Sequence, residues 1–216
     1  MKVKLQQVLP EEIEKRSFEI ISQELGGRPV AAENEPVIKR VIHTSADFDY
    51  YDNLVFSEEA VRRGIEALKQ GALIVTDTQM AKAGINKTAL SALGGRVECF
   101  VADEDVKAQA KANQTTRSAA AVEKAAALAE RESSPVIFAV GNAPTALVHI
   151  CELVSEGKLS PALVIGVPVG FVNVVESKEL LLQTDVPHIA ARGRKGGSNV
   201  AAAICNAMLY MIRDGK

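Results

Sequence analysis

A series of short, unbroken apolar runs constrains the fold more than any other feature of the chain. They read ALIVT at 72–76, VECFV at 97–101, PVIFAV at 135–140 and ALVIGV at 162–167, with a weaker run at 187–190. A strand with one wet face alternates apolar and polar residues, whereas a strand covered on both faces is apolar throughout. Segments of helix length separate most of these runs, at 104–130 (Ala-rich, room for two helices), 144–156, 174–183 and 198–213. Buried strands alternating with helices predict a parallel sheet with helices on both sides, an α/β fold of three layers.

Upstream the pattern is helical. Pro10-Glu11-Glu12 suits a first helical turn, and Gly26-Gly27 ends the helix it opens. A second helix is expected over about 35–45, where Val37, Ile38, Val41 and Ile42 share a face. A loop follows with a short strand at 54–56, and Ser57-Glu58-Glu59 starts another helix that Gly71 stops. We read one domain over 1–216, with an N-terminal helical segment to about 56 and an α/β core from about 57. The last helix is apolar around most of its circumference, which predicts burial on two sides, a subunit contact being one candidate.

Composition removes several function classes. With 47% hydrophobic and 24% charged residues and a net charge of −2, the chain has no basic excess for general nucleic-acid binding. Aromatic content of 4% and the absence of Trp speak against base stacking. No apolar run reaches the roughly 18–20 residues of a membrane span, and MKVKLQQVLPEEIEKR lacks an apolar signal core, so a cytoplasmic location is expected. Cys99, Cys151 and Cys205 stand singly in apolar segments and read as buried thiols. His43, His149 and His188 are too scattered for a metal-ligand pair. His149, within ALVHICEL, reads as packing.

The chemistry-bearing stretch is 191–211, ARGRKGGSNVAAAICNAMLYM. Arg192, Arg194 and Lys195 lie among Gly193, Gly196 and Gly197, just before Ser198 opens a helix. Glycines let backbone approach a ligand, and a helix N-terminus presents unpaired N–H groups. Two readings stand: a solvated basic turn, or a site for an anion with several negative groups. The turn lacks the Gly-Lys-Ser/Thr of a P-loop. In open α/β sheets ligands bind beyond the carboxyl ends of the strands. Those ends here carry Thr76-Asp77-Thr78, Gly141-Asn142-Ala143, Val167–Phe171 and the basic turn, with Thr115-Thr116-Arg117 nearby. His43 falls opposite the apolar face of its helix and faces water or a cleft, with Asp47 four residues on as a possible ring partner. No nucleophile elbow is evident. The residues thus describe an anion site with one acid–base group.

Five blocks in order, KRVIHTSADFDY, VTDTQMAKAGI, GNAPTAL, GVPVGFVNVVESKELL and ARGRKGGSNVAAAICNA, resemble the precorrin-8X (cobalt-precorrin-8) methylmutases of cobalamin biosynthesis. The resemblance implies a flavodoxin-like, five-stranded parallel sheet of order 2-1-3-4-5, working as a homodimer. It implies an isomerase that moves a methyl group from C11 to C12 of a ring-contracted tetrapyrrole bearing many carboxylates, giving hydrogenobyrinate or cobyrinate. No cofactor is implied, since any cobalt belongs to the substrate. The family's histidine falls on His43, as proton donor to the macrocycle. Arg16, Ser17, Thr76, Thr78, Arg117, Asn142, Arg192, Arg194, Lys195 and Ser198 become candidates for binding carboxylates, for which the arginine fork is well shaped. A corrinoid carrier on the same fold and a nucleotide enzyme remain as alternatives.

Overall fold

The computed structural model describes residues 7–215; the first six residues and Lys216, part of the expected domain, lie outside the described residues. The apolar runs form strands as expected: β2 Leu73–Thr76, β3 Arg96–Glu98, β4 Val136–Val140, β5 Leu163–Gly166 and β6 His188–Ala191. The short run upstream is β1, Leu54–Phe56. The sheet order is β1-β6-β5-β4-β2-β3. All neighbours are parallel except β1, which pairs antiparallel with β6, Leu54 opposite Ala191. This corrects the expectation of a five-stranded, all-parallel sheet: the described residues form six strands, and the added one shields the outer edge of β6. Shielding an edge removes a row of unpaired backbone groups.

Side chains alternate between the two faces, as a period of two requires. Ile74, Ile137, Ala139, Leu163, Ile165, Ile189 and Ala191 enter one core; Leu73, Val75, Val136, Phe138, Val140, Val164 and Ala190 enter the other. The second core is roofed by α7 Glu104–Ala112, α8 Arg117–Glu132, α9 Pro144–Ser155 and α10 Val174–Leu181. The Ala-rich region is therefore two helices, as its length allowed. Over the first core lie α4 Ala60–Lys69, the six-residue helices α5 Gln79–Gly84 and α6 Lys87–Ala92, and α11 Ser198–Arg213.

The N-terminal helices form a further layer. α1 Ile13–Leu25 packs on α2 Glu35–Ser45, and α2 packs on α11, with the four-residue α3 Tyr50–Asn53 leading into β1. So α11 has the sheet on one side and α2, α4 and α5 on others. Ile204, Cys205 and Met208 are fully buried by their own chain. The burial on two sides expected of the last helix is met within its own chain. Cys99, Cys151 and Cys205 are buried free thiols. His149 departs from expectation: it is half-buried between Glu123 (3.1 Å) and Glu152 (3.0 Å), because its ring leans out of the apolar face toward the carboxylates of α8 and α9.

Candidate functional site

Since β2, β4, β5 and β6 run parallel, their carboxyl ends gather four loops at one edge. The chain leaves β2 for β3 on one side and returns to β4 on the other, so the crevice where the order reverses opens between β2 and β4. Thr76 is buried there and spends its hydroxyl on the carbonyls of Thr78 (3.1 Å) and Glu98 (3.3 Å). That makes it a strut of the strand end, a correction to its reading as a ligand-binding hydroxyl. Asp77, which sequence reasoning passed over, takes the central place. Its carboxylate accepts from the N–H groups of Gly141 (2.9 Å), Asn142 (2.7 Å) and Ala143 (2.6 Å) at the start of α9. Burial pushes the Asp77 carboxyl up, and the three N–H bonds oppose that rise. The anion position at this helix start is therefore filled from within the chain. An acid directly after a strand at the switch point was the signal for it.

The next helix start along the edge is left open. Gly197 precedes α11 with no side-chain cap. Thr78 accepts from Ala81 N (3.1 Å), capping α5, and shares a hydrogen bond of 2.7 Å with Ser198, which fixes the first residue of α11. Close backbone approach demands glycine here. A Cβ on Gly196 lies 2.1 Å from Val167 O, and one on Gly141 lies 2.8 Å from Gly197 O and Ser198 N. Asn142 keeps an exposed side chain beside this junction. Arg117, first residue of α8, is exposed; Thr116 caps that helix and donates to Thr145 (3.1 Å), holding Arg117 next to the start of α9.

The basic turn is pinned at both ends. Arg192 N donates to Asn53 O (2.8 Å), Gly197 N to Val167 O (2.9 Å), and Gly170 N to Arg194 O (3.2 Å). Its three cations differ. Lys195 lies 2.6 Å from both Asp47 and Asp49, whose carboxylates hold its ammonium well above the usual lysine range. Lys195 in turn holds the Asp47 carboxyl below its ordinary value. These two ion pairs tether the turn to the segment that follows α2. Arg194 leans over Phe171, 5.3 Å from the ring centre, and Arg192 is 3.8 Å from Glu179 at the surface. Beneath the turn lies Lys178, wholly buried, a second residue missed from sequence. The spacing Val174, Lys178, Leu181 places it on the buried face of α10, and that spacing was the available signal.

His43 is exposed, as its helical phase predicted, in a groove between α2 and α11 lined by Arg40, Asn199, Asn206 and Tyr210. Phe18 of α1 stacks on it, ring centres 5.2 Å apart and 17° from parallel. Arg40 lies against the Phe18 and Tyr210 rings and pairs with Glu14. Both ring nitrogens of His43 lack a hydrogen-bond partner among the described residues. Asp47 is not its partner, because the helix stops at Ala46 (φ 53°) and the chain turns Asp47 toward Lys195 instead. Arg16 and Ser17 flank Phe18 in sequence. Arg16 pairs with Glu19 (3.1 Å) and the Ser17 hydroxyl donates to Ile13 O (2.9 Å). Among the described residues, no hydrogen bond or ion pair joins either of them to the strand-end loops.

The edge also carries bare apolar surface. Phe171 and Val172, on the loop after β5, and Met80, on the helix α5 after β2, are 81, 78 and 72% exposed. An open helix start, arginines without buried partners, an exposed imidazole and apolar tips together suit a large ligand with a flat apolar body and a charged rim. A cavity of about 590 Å³ lies elsewhere, at the amino ends of β4, β5 and β6 near Ser134, Pro161 and Pro187. It holds none of the groups described above. Among the described residues, no cluster of three His, Cys, Asp or Glu is arranged to hold a metal ion.

Comparison with known proteins identifies the family. The family model described as precorrin-8X methylmutase matches residues 12–211. A cobalt-precorrin-8 methylmutase of Salmonella typhimurium is 47% identical over 95% of this chain and 97% of its own length. That of Priestia megaterium is 43% identical over 96% of this chain and 91% of its own. A crystal structure of the precorrin-8X methylmutase of Thermus thermophilus superposes with a TM-score of 0.86 at 41% identity, covering 95% of this chain and 97% of that one. On a match spanning nearly its whole length, the chain belongs to the precorrin-8X methylmutase family.

Proposed function

We propose that this protein is the isomerase that moves a methyl group from C11 to C12 of precorrin-8X or its cobalt form, the step giving hydrogenobyrinate or cobyrinate in cobalamin biosynthesis. Family membership supports the reaction, and one observation carries its chemistry: an exposed imidazole with both nitrogens free, joined through α2, Asp47 and Lys195 to a turn rich in cations and backbone donors. His43 donates a proton to a ring nitrogen near the migrating methyl. That draws electron density from the conjugated ring and makes the receiving carbon a better acceptor. Arg192, Arg194, Arg117 and the start of α11 hold substrate carboxylates, with Thr78, Ser198 and Asn142 around them and Arg16 and Ser17 on the α1 side. The macrocycle lies against the apolar tips. Positioning and one proton are what such a shift needs from the protein, so no resident cofactor is required and any cobalt is part of the substrate.

We further infer a flavodoxin-like unit spanning 1–216, a cytoplasmic location and a homodimer. No helix among the described residues is long and apolar enough to cross a membrane. Asp77 speaks against the nucleotide alternative, since it fills the helix start where a phosphate sits in such sheets. The test is to mix purified protein with precorrin-8X and record the visible spectrum. Conversion to the product spectrum is expected. Binding without conversion makes the protein a carrier or one that requires the cobalt substrate, and no binding overturns the reading.

A further inference from the structure

Lys178 is 0% exposed, and no carboxylate pairs with it among the described residues. Its Nζ donates to the carbonyls of Gly193 (2.8 Å) and Lys195 (2.7 Å), on either side of Arg194. A trans peptide is planar, with its C=O and N–H pointing opposite ways, and no peptide bond here is cis. Two carbonyls drawn inward to Lys178 therefore turn the N–H groups of Arg194 and Gly196 outward, and neither N–H has a hydrogen-bond partner among the described residues. Outward backbone N–H groups flanking a cationic side chain are ready donors for an anion. We infer that Lys178 is a positioning residue: it fixes the Arg192–Gly197 turn so that two backbone N–H groups and the Arg194 side chain meet one substrate carboxylate, and it sets its own positive charge behind them. This inference rests on the proposed corrinoid substrate.

The charge can be separated from the shape. Burial pushes the Lys178 ammonium down to about 8. The elements packed against it carry Glu176 and Glu179 on its own helix, His149 and Glu152 on α9, His188 on β6, and Arg192, Arg194 and Lys195 on the turn. None of them hydrogen-bonds to Nζ. A neutral amine still has two N–H groups, enough for both carbonyls, so deprotonation removes the charge and leaves the turn in place. A bound polyanion favours the charged form, so binding near pH 8.5 draws in a proton. A rise of one unit on binding corresponds to about half a proton per site at that pH.

Titration calorimetry of wild-type protein with hydrogenobyrinate at pH 8.5, in two buffers of different ionisation enthalpy, reads this uptake. Uptake is expected in wild type and in His43→Ala, and is lost in Lys178→Met. The Lys178→Met variant should also raise KM about tenfold while kcat stays within about twofold, the loss of one charge-assisted contact. Should Lys178→Met not fold, Lys178→Gln, which keeps one donor without the charge, is expected to show the same loss of uptake. Equal uptake in the Lys178 variant, or loss of uptake with His43→Ala, overturns the inference, and so does a wild-type protein that binds with no uptake. Failure of wild type to bind the corrinoid at all instead removes the proposed function, and this inference with it.

Discussion

Lys195 Nζ lies 2.6 Å from Asp47 Oδ2, and this contact joins the basic turn to the segment leaving the His43 helix. The basic turn and the His43 helix are thereby linked, although 148 residues of sequence separate the two partners. The Asp47→Asn variant removes one of the two carboxylates on Lys195 and frees part of its charge. We expect kcat to fall roughly threefold to tenfold as His43 loses its fixed distance from the turn, with KM unchanged or lower. Steady-state kinetics decide this, and a raised KM at constant kcat is the contrary result. The pH sign follows from the depressed Asp47 carboxyl. Its contribution to stability is complete above the ordinary aspartate range and is lost only as pH falls through the lowered folded value. Between about pH 5 and 9 the tether is therefore constant, and Asp47→Asn should leave the shape of the pH–rate profile in that range unaltered.

His43→Ala should lower kcat by a factor on the order of 10² to 10⁴, the usual worth of a general acid. Corrinoid affinity should stay within about threefold, because no ion pair or hydrogen bond of the imidazole is lost. Phe18→Ala keeps the imidazole but removes the ring stacked on it, so a smaller drop in kcat is expected. Single-turnover rates beside product dissociation constants separate the two effects; full activity of His43→Ala at saturating substrate would falsify its role.

Gly141→Ala places a methyl group 2.8 Å from Gly197 O and Ser198 N. Both are backbone atoms, so a helix start must shift to make room. A cost of about 1–3 kcal/mol is expected, typical of overpacking, together with weaker product binding. A variant that melts at the wild-type temperature with unchanged affinity would show that the junction yields freely.

Lys178 also makes folding stability depend on alkaline pH. Burial lowers its ammonium to about 8 in the folded chain, below the ordinary lysine value of 10.5. Between those values the unfolded chain holds the proton more often, so stability rises with pH across the window. Relative to Lys178→Met, wild type should gain about 2 kcal/mol between pH 7 and 10. Urea denaturation of both proteins at the two pH values measures this, and a difference that does not change with pH contradicts the burial argument.

The sheet was readable because strands buried on both faces leave unbroken apolar runs, and Phe138 or Ile165 could stand nowhere else. The pairing of Leu54–Phe56 was not readable. A three-residue strand carries too little pattern to declare its direction, which is set by the docking of α2 and α3 around it. Helical phase placed His43 correctly on the open side of α2 but said nothing of where the helix stops. Ala46 in a left-handed conformation supplied no glycine as a warning, and Asp47 was credited to the wrong partner. The charges of the turn were visible, but their assignments depended on long-range contacts. Lys195 is bound by carboxylates from a distant loop, and Thr76 by the carbonyl of a neighbouring strand. Lys178 was hidden by its residue type, since a lysine in a helix is ordinarily solvated. Only its place between Val174 and Leu181 marked it as inward.

The Asp77 carboxylate in its ring of N–H groups has a consequence for what the cell's many small anions can do to this enzyme. A free phosphate or nucleotide competing for that helix start meets a rival fixed to the same polypeptide. Dilution cannot lower the rival's local concentration, and it is renewed with every molecule made. The chain thus carries a built-in resident at that helix start, whereas the neighbouring start at Ser198 has no side-chain cap. Selectivity against abundant metabolites is set when the protein folds, before any ligand arrives.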